Sequence, residues 1–270
     1  MKGKLSPVTS DIAEPNDAQA QRSAIPASSP GAGVELSIVM PAYNEGARIA
    51  PTIREYLDHF AHIYGVAFEI VVVLNGCRDD TREVVERVAQ RSPSVRIIEF
   101  TQPLGKGGAI WEGLAVAHGN KLAFVDADNM VRAPEAEKLI RALDSHDVAI
   151  ANRFAGVEEG GSSQPPTRKL ISVGSRLWVR LFLGLPYEDT QCGAKAFRTV
   201  AWRRLAPEIQ ERSWAFDLDV LAQVRRLDLS VAEVPVRWRH VTEGSKVRPW
   251  IDVPRTLLAT LAIRRRSRPR

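Results

Sequence analysis

From Val34 to Asn152 the chain repeats one alternation: a short apolar run, a polar loop, then apolar residues at helical spacing. The runs Leu36–Met40, Phe68–Leu74, Val95–Phe100, Leu122–Val125 and Val148–Ala151 read as strands. They are mostly apolar, and the unbroken run Leu122–Val125 has the pattern of a strand covered on both faces. Helical spacing follows each of the first four: Ile49, Ile53, Leu57 and Phe60 with Pro51 in the first turn, then Val84, Val85 and Val88, then Gly105 to about His118, then residues 134–144. This rhythm predicts an α/β fold with a mainly parallel central sheet, right-handed crossovers and helices on both faces.

After Asn152 the rhythm breaks. Residues 155–167 form a Gly/Ser/Pro-rich loop of the kind that acts as a lid. An apolar helix is expected at 170–185, interspersed with Arg176 and Arg180; it reads either as core or as a segment lying on a membrane surface. A helix at Phe216–Leu227, an alternating strand at 230–238 and an apolar segment at 251–263 complete the chain. Residues 1–33, rich in Ala, Ser, Pro and Gly, are expected to be a disordered tail.

In a parallel sheet the loops that follow the strands share one edge, and ligands bind there. Four of these loops carry specific polar residues: Pro41-Ala-Tyr-Asn-Glu45, Asn75-Gly-Cys-Arg-Asp-Asp-Thr81, Gly105-Lys-Gly-Gly108 and Asp126-Ala-Asp-Asn129. The clearest is the last. Asp126 and Asp128 point the same way on an extended segment, so they can converge on Mg²⁺ or Mn²⁺ carrying phosphate oxygens; the plainer reading is a helix cap. Lys106 stands at a glycine-rich helix start, which favours an anion, although its spacing is not that of a Walker loop. Asn75 offers a donor and an acceptor on one edge, suited to a nucleobase or to a turn before Gly76.

Further candidates lie in the second half. Asp189 and Asp217 are possible general bases, with a helix cap as the alternative for Asp217. Gln191, Lys195 and Lys246 are candidates for acceptor or phosphate contact. His240 is a third metal candidate, or a structural histidine.

The charge is unevenly placed. The chain carries a net +5, and residues 264–270 alone hold five arginines, so the remainder is balanced. The expected organisation is therefore a single domain over 34–263, divided into a nucleotide-binding half (34–152) and an acceptor-binding half (153–263), with a basic tail at 264–270. The tail suits phospholipid headgroups or plain solvation, and no nucleic-acid partner is expected. Two cysteines among 270 residues do not make a disulfide framework. With no secretory signal and no run of about 20 apolar residues, a cytoplasmic location is expected, with peripheral contact at the inner face of a membrane as an open option.

The order of Pro41-Ala-Tyr-Asn-Glu45, Gly105-Lys-Gly-Gly108, Asp126-Ala-Asp128, Asp189-Thr-Gln-Cys-Gly-Ala-Lys195, Trp214-Ala-Phe-Asp217 and Gly244-Ser-Lys246 resembles the family-2 glycosyltransferases, nearest to the dolichyl- and polyprenyl-phosphate glucosyl- and mannosyltransferases. The resemblance spans about residues 34–263. It implies a GT-A fold and an inverting, divalent-metal-dependent transfer of a hexose from a nucleotide-diphospho-sugar to a polyprenyl phosphate. The same chemistry on a soluble hydroxyl acceptor, or a non-catalytic nucleotide-sugar-binding module, are the alternatives. Carried over, Pro41, Tyr43, Glu45, Asn75, Lys106 and Asp126 border the donor, Asp126 and Asp128 form the metal motif, and Asp189, Gln191 and Lys195 line the sugar and acceptor region. The chain departs from the family pattern at Leu74-Asn-Gly-Cys77, where a carboxylate is usual.

Overall fold

The computed structural model describes residues 22–23, 33–159, 166–239 and 249–267. Among the described residues, seven strands make up the body of one sheet: β1 (Leu36–Ala42), β2 (Phe68–Asn75), β3 (Val95–Phe100), β4 (Lys121–Val125), β5 (Val148–Asn152), β6 (Ala194–Arg198) and β7 (Val231–Pro235), in the spatial order β3-β2-β1-β4-β6-β5-β7. All pairings are parallel except those of β6, which runs antiparallel between β4 and β5. The expected α/β fold with a mainly parallel sheet is observed. The insertion of β6 was not foreseen, because Ala194–Arg198 is short and follows a polar stretch rather than a helix. Arg22–Ser23, two residues of the predicted tail, pair antiparallel with Phe100 and Glu99 at the β3 edge; most of that tail lies outside the described residues.

Among the described residues, eight helices cover the sheet: α1 (Ile49–Tyr64), α2 (Thr81–Ala89), α3 (Gly105–Ala115), α4 (Ala133–Ala142), α5 (Pro166–Leu183), α6 (Thr199–Leu205), α7 (Phe216–Arg226) and α8 (Pro249–Arg266). Alternate strand residues point to opposite faces, which makes two cores. Ile38, Met40, Ile70 and Val72 pack with Ile53, Tyr56 and Phe60 of α1, Val85 of α2 and Leu139 of α4. Val39, Val71, Val73 and Phe124 pack on the other side with Ile110 of α3, Val179 of α5, Trp202 of α6 and Phe216 of α7. All eight residues of β2 are buried, which fits its apolar run Ile70–Leu74; the two polar ones, Glu69 and Asn75, are hydrogen-bonded. Burying one such side chain contributes about 1.5–3 kcal/mol.

The strand order reverses between β1 and β4: β2 and β3 lie on one side, β6 and β5 on the other. This switch point opens a crevice beyond the carboxyl ends of the strands.

Candidate active site

A cavity of about 430 Å³ occupies that crevice. Its wall takes Pro41, Tyr43, Glu45 and Arg48 from the end of β1 and the start of α1, and Asn75 from β2. Gly105 and Lys106 come from α3, Asp126, Asp128 and Met130 from beyond β4, and Arg153 from beyond β5. Gln191, Cys192 and Gly193 from before β6 and Trp214 from before α7 complete it. The four loops singled out in the sequence thus converge.

The loop after β4 is held by α1. Thr52 Oγ1 donates to the Ala127 carbonyl at 2.9 Å and Tyr56 Oη to the Val131 carbonyl at 2.8 Å. Glu55 accepts from Asn129 Nδ2 at 2.8 Å and from the Ala133 amide at 3.2 Å. Residues 52, 55 and 56 share one helix face by spacing, so one face of α1 fixes the whole turn. Asn129 takes a left-handed φ of 57°, a conformation asparagine tolerates better than most residues. Asp126 and Asp128 therefore sit in a rigid turn with both carboxylates on the cavity.

Lys106 Nζ lies 2.7 Å from Asp126 Oδ1 and 2.9 Å from Oδ2, and 5.5 Å from the centre of the Trp214 ring. Burial pulls its pKa down, but Asp126 and then Asp217 and Asp128 outweigh this and hold the ammonium above its ordinary value. Asp128 is pushed up to about 6 by burial and by the neighbouring Asp126 charge. Two carboxylates under mutual repulsion, both hard oxygen donors, fit Mg²⁺ or Mn²⁺. A second observation agrees. A Cβ on Gly193 would fall 1.8 Å from Asp126 Oδ2, so the residue facing this carboxylate must be glycine. Among the described residues no group of three or more His, Cys, Asp or Glu gathers to hold a metal ion; His240 and Lys246 lie outside the described residues.

The glycines of Gly105-Lys-Gly-Gly108 serve packing. Gly105 has φ +79° and a Cβ there would meet the Arg212 carbonyl at 2.7 Å; one on Gly107 would meet Phe216 Cβ at 2.4 Å. They let α3 close on the segment before α7, which delivers Lys106 and Trp214 to the cavity together. Asn75 spends its amide on the same loop: Oδ1 accepts from the Leu104 amide at 2.7 Å and Nδ2 donates to the Gly105 carbonyl at 3.2 Å. Glu45 is paired with Arg48, one bond being 2.8 Å.

The second-half candidates are placed differently. Asp189 is buried and grips Arg153, accepting from Nε at 2.7 Å, Nη2 at 2.9 Å and the backbone amide at 3.1 Å. Burial raises its pKa, but these donors prevail and hold it below the usual carboxylate value. Gln191 lines the cavity. Lys195 does not: it is buried on the β6 face that looks toward α7, where it donates to Asp217 Oδ1 at 2.5 Å and to the Cys192 carbonyl at 2.9 Å. Asp217 is buried too and is spent on that pair. Asp219, one turn face away, accepts from the Gln210 and Glu211 amides at 2.9 and 3.0 Å and braces the loop that precedes α7.

Arg153 is a cavity residue that the sequence does not single out, as are Arg48 and Met130. It directly follows β5 and so stands on the same edge as the other four loops. Asn152 shapes its turn, Oδ1 accepting from the Phe154 and Ala155 amides at 2.9 and 3.0 Å.

A switch-point crevice with paired carboxylates, a lysine at a helix start and a braced arginine is suited to a phosphorylated ligand with a divalent cation. The chain belongs to glycosyl transferase family 2, whose family model matches residues 37–201. It is 32% identical over 240 residues to dolichyl-phosphate beta-glucosyltransferase of Drosophila melanogaster, covering 83% of this chain and 73% of that one. The Homo sapiens protein of the same name is 30% identical over 258 residues, 90% of this chain and 79% of that one. Glycosyltransferase AglD of Haloferax volcanii is 33% identical over 216 residues, 79% of this chain; the match spans about a third of that longer protein, 34%. Among solved structures, glucosyl-3-phosphoglycerate synthase from Mycobacterium tuberculosis in complex with UDP superposes with a TM-score of 0.63 at 20% identity, covering 87% of this chain and 81% of that one. This last likeness concerns the GT-A fold.

Proposed function

We propose that this glycosyltransferase moves a hexose, glucose in the first instance, from a nucleotide-diphospho-sugar to a polyprenyl phosphate, with inversion at the anomeric carbon. The names of the Drosophila and human relatives support glucose and a lipid-phosphate acceptor. The fold neighbours have been solved with UDP and with Mn²⁺ or Mg²⁺, which favours UDP as the carrier.

The observation that carries the acceptor class is the state of the two candidate bases. Asp189 is committed to Arg153 and Asp217 to Lys195. A hydroxyl acceptor needs a base to take its proton. A phosphate acceptor is already ionised at neutral pH and needs a cation to position it. Arg153, clamped by Asp189 and lining the cavity, supplies one with a fixed fork geometry.

The acceptor phosphate oxygen forms the new bond to the anomeric carbon from the face opposite the leaving group. The bond from that carbon to the donor's diphosphate oxygen breaks, and the nucleoside diphosphate leaves with the electron pair; no proton moves. Lys106 faces the developing diphosphate charge from the helix start, and Arg153 holds the incoming phosphate. Mg²⁺ or Mn²⁺ held by Asp126 and Asp128 would neutralise diphosphate charge when bound. Tyr43, Pro41 and Glu45 border the nucleotide, and Gln191 the sugar. The setting is the cytoplasmic side of a membrane.

The test has two stages. Thermal shifts with UDP-, GDP- and dTDP-glucose, with and without Mn²⁺, identify the donor. Radiolabelled transfer to a short-chain polyprenyl phosphate, with the product anomer read by NMR, then follows. A β-linked product from an α-linked donor is expected. Transfer confined to a soluble alcohol such as a glycerate would overturn the acceptor reading.

A further inference from the structure

Helices α5 and α8 lie side by side. Trp178 Nε1 donates to Thr260 Oγ1 at 3.1 Å, and one turn further along both helices the Arg264 guanidinium covers the Phe182 ring at 4.5 Å. The two helices therefore run in the same direction. Val179 and Leu183 of α5 and Ile263 of α8 are buried in the core. At about 100° per residue, the side of α5 facing away from that core carries Leu177 and Leu181, and the same side of α8 carries Leu258 and Leu261. These four are 55%, 73%, 66% and 47% exposed, and Trp178 between them is 40% exposed. A lone exposed leucine is ordinary; four on the outer plane of two adjacent helices form a patch that calls for a partner.

The charges beside the patch select that partner. Arg180, Arg255, Arg264 and Arg265 are exposed on the same two helices. Residues 166–183 contain no acidic residue, and residues 249–267 contain one, Asp252. Leucines with flanking arginines and almost no acid match an anionic phospholipid surface, where apolar groups enter the acyl boundary and cations meet phosphates. No helix among the described residues is long and apolar enough to cross a membrane, so such contact would lie along the surface. Helix α5 also reaches the loop that bears Arg153: Arg176 covers the Phe154 ring at 4.0 Å, and Phe154 follows Arg153.

We propose that the outer face of α5 and α8 docks the protein onto an anionic lipid bilayer. The purpose of this surface, though not its existence, rests on the lipid-phosphate reading above.

Flotation with phosphatidylcholine vesicles, with and without phosphatidylglycerol, tests it. The full chain should float with the anionic vesicles and be released by salt. Leu181→Glu with Leu261→Glu should weaken binding about tenfold or more, as should Arg180→Glu with Arg265→Glu. Val200→Glu, at an exposed valine of α6, should leave it unchanged. The leucine variant should still glycosylate a short-chain, detergent-dispersed polyprenyl phosphate, which separates loss of docking from loss of chemistry. If vesicle binding holds but no lipid phosphate is glycosylated, the surface stands and the acceptor reading falls. Absence of binding to anionic vesicles, or undiminished binding by the leucine variant, overturns the proposal. So does a sedimentation result in which the leucines hold two copies together and vesicles are ignored.

Discussion

Asp128 does two things in one turn. Its Oδ1 accepts from the Met130 amide at 3.1 Å, and its carboxylate faces the cavity. Replacing it with asparagine keeps an acceptor for that amide but removes the charge. Asp128→Asn should therefore fold normally, lose Mn²⁺-dependent binding of nucleoside diphosphate by calorimetry, and drop kcat about 100-fold or more; near-normal turnover refutes the metal assignment. Gly193 is the complementary case. An alanine there would push its Cβ against Asp126 and displace the carboxylate from Lys106. Gly193→Ala should cost about 10–100-fold in kcat with little loss of overall fold, read by turnover and circular dichroism in parallel. That Asp126, Asp128 and Lys106 share one cavity was legible in the sequence, because a strand end and a helix start fix where such residues stand. Arg153 was not, since a lone arginine after a strand carries no spacing signal. Its importance comes from Asp189, which is close in space but 36 residues away.

At the scale of elements, the Lys195–Asp217 pair joins β6 to α7 and also secures the Cys192 carbonyl in the cavity wall. The motifs suggest acceptor contact for Lys195 and a general base for Asp217. The alternation of β6 instead turns Lys195 onto the face that α7 covers. Removing one partner leaves a buried charge alone. Lys195→Met should destabilise by about 3–5 kcal/mol in urea titration, whereas Lys195→Met with Asp217→Leu should recover most of that. The double variant should still turn over poorly, because Cys192 has lost its donor. If it is fully active, the pair is structural only. The first five strands and the helices after the first four of them were readable from periodicity, whereas the short helix α6 was not, and α5 begins at Pro166, before the apolar stretch that announced it. The glycines in the first turn of α3 were readable as special, but not as packing surfaces, because what Gly105 and Gly107 touch comes from residues 212–216.

For the whole molecule, acid should be the destabilising direction. Glu69 is buried at the rim of the sheet, where burial raises its pKa but Arg96, Ser37 Oγ at 2.7 Å and the His118 amide at 2.8 Å overcome that and lower it. Asp189 behaves likewise. A carboxylate with a lowered folded-state pKa contributes stability that is complete above its unfolded value and is lost as pH falls through the folded one. Melting temperature should thus be flat near neutrality and fall below about pH 4.5. Glu69→Gln should lower stability at pH 7 by about 1–3 kcal/mol and make the acid limb shallower; an unchanged acid limb would exclude Glu69 as its source.

The placement of β6 also has a consequence for how the chain is made. When residues 34–152 have left the ribosome, β3, β2, β1 and β4 can pair, but β4 has an open edge and β5 has no neighbour to join. The missing strand arrives more than forty residues later and must insert between two already synthesised strands. Until then the nascent chain presents a bare parallel edge, the feature most prone to pair with another chain. The half that carries the paired aspartates is therefore not a unit that can be made, stored or shuffled by itself: its sheet is closed by the other half.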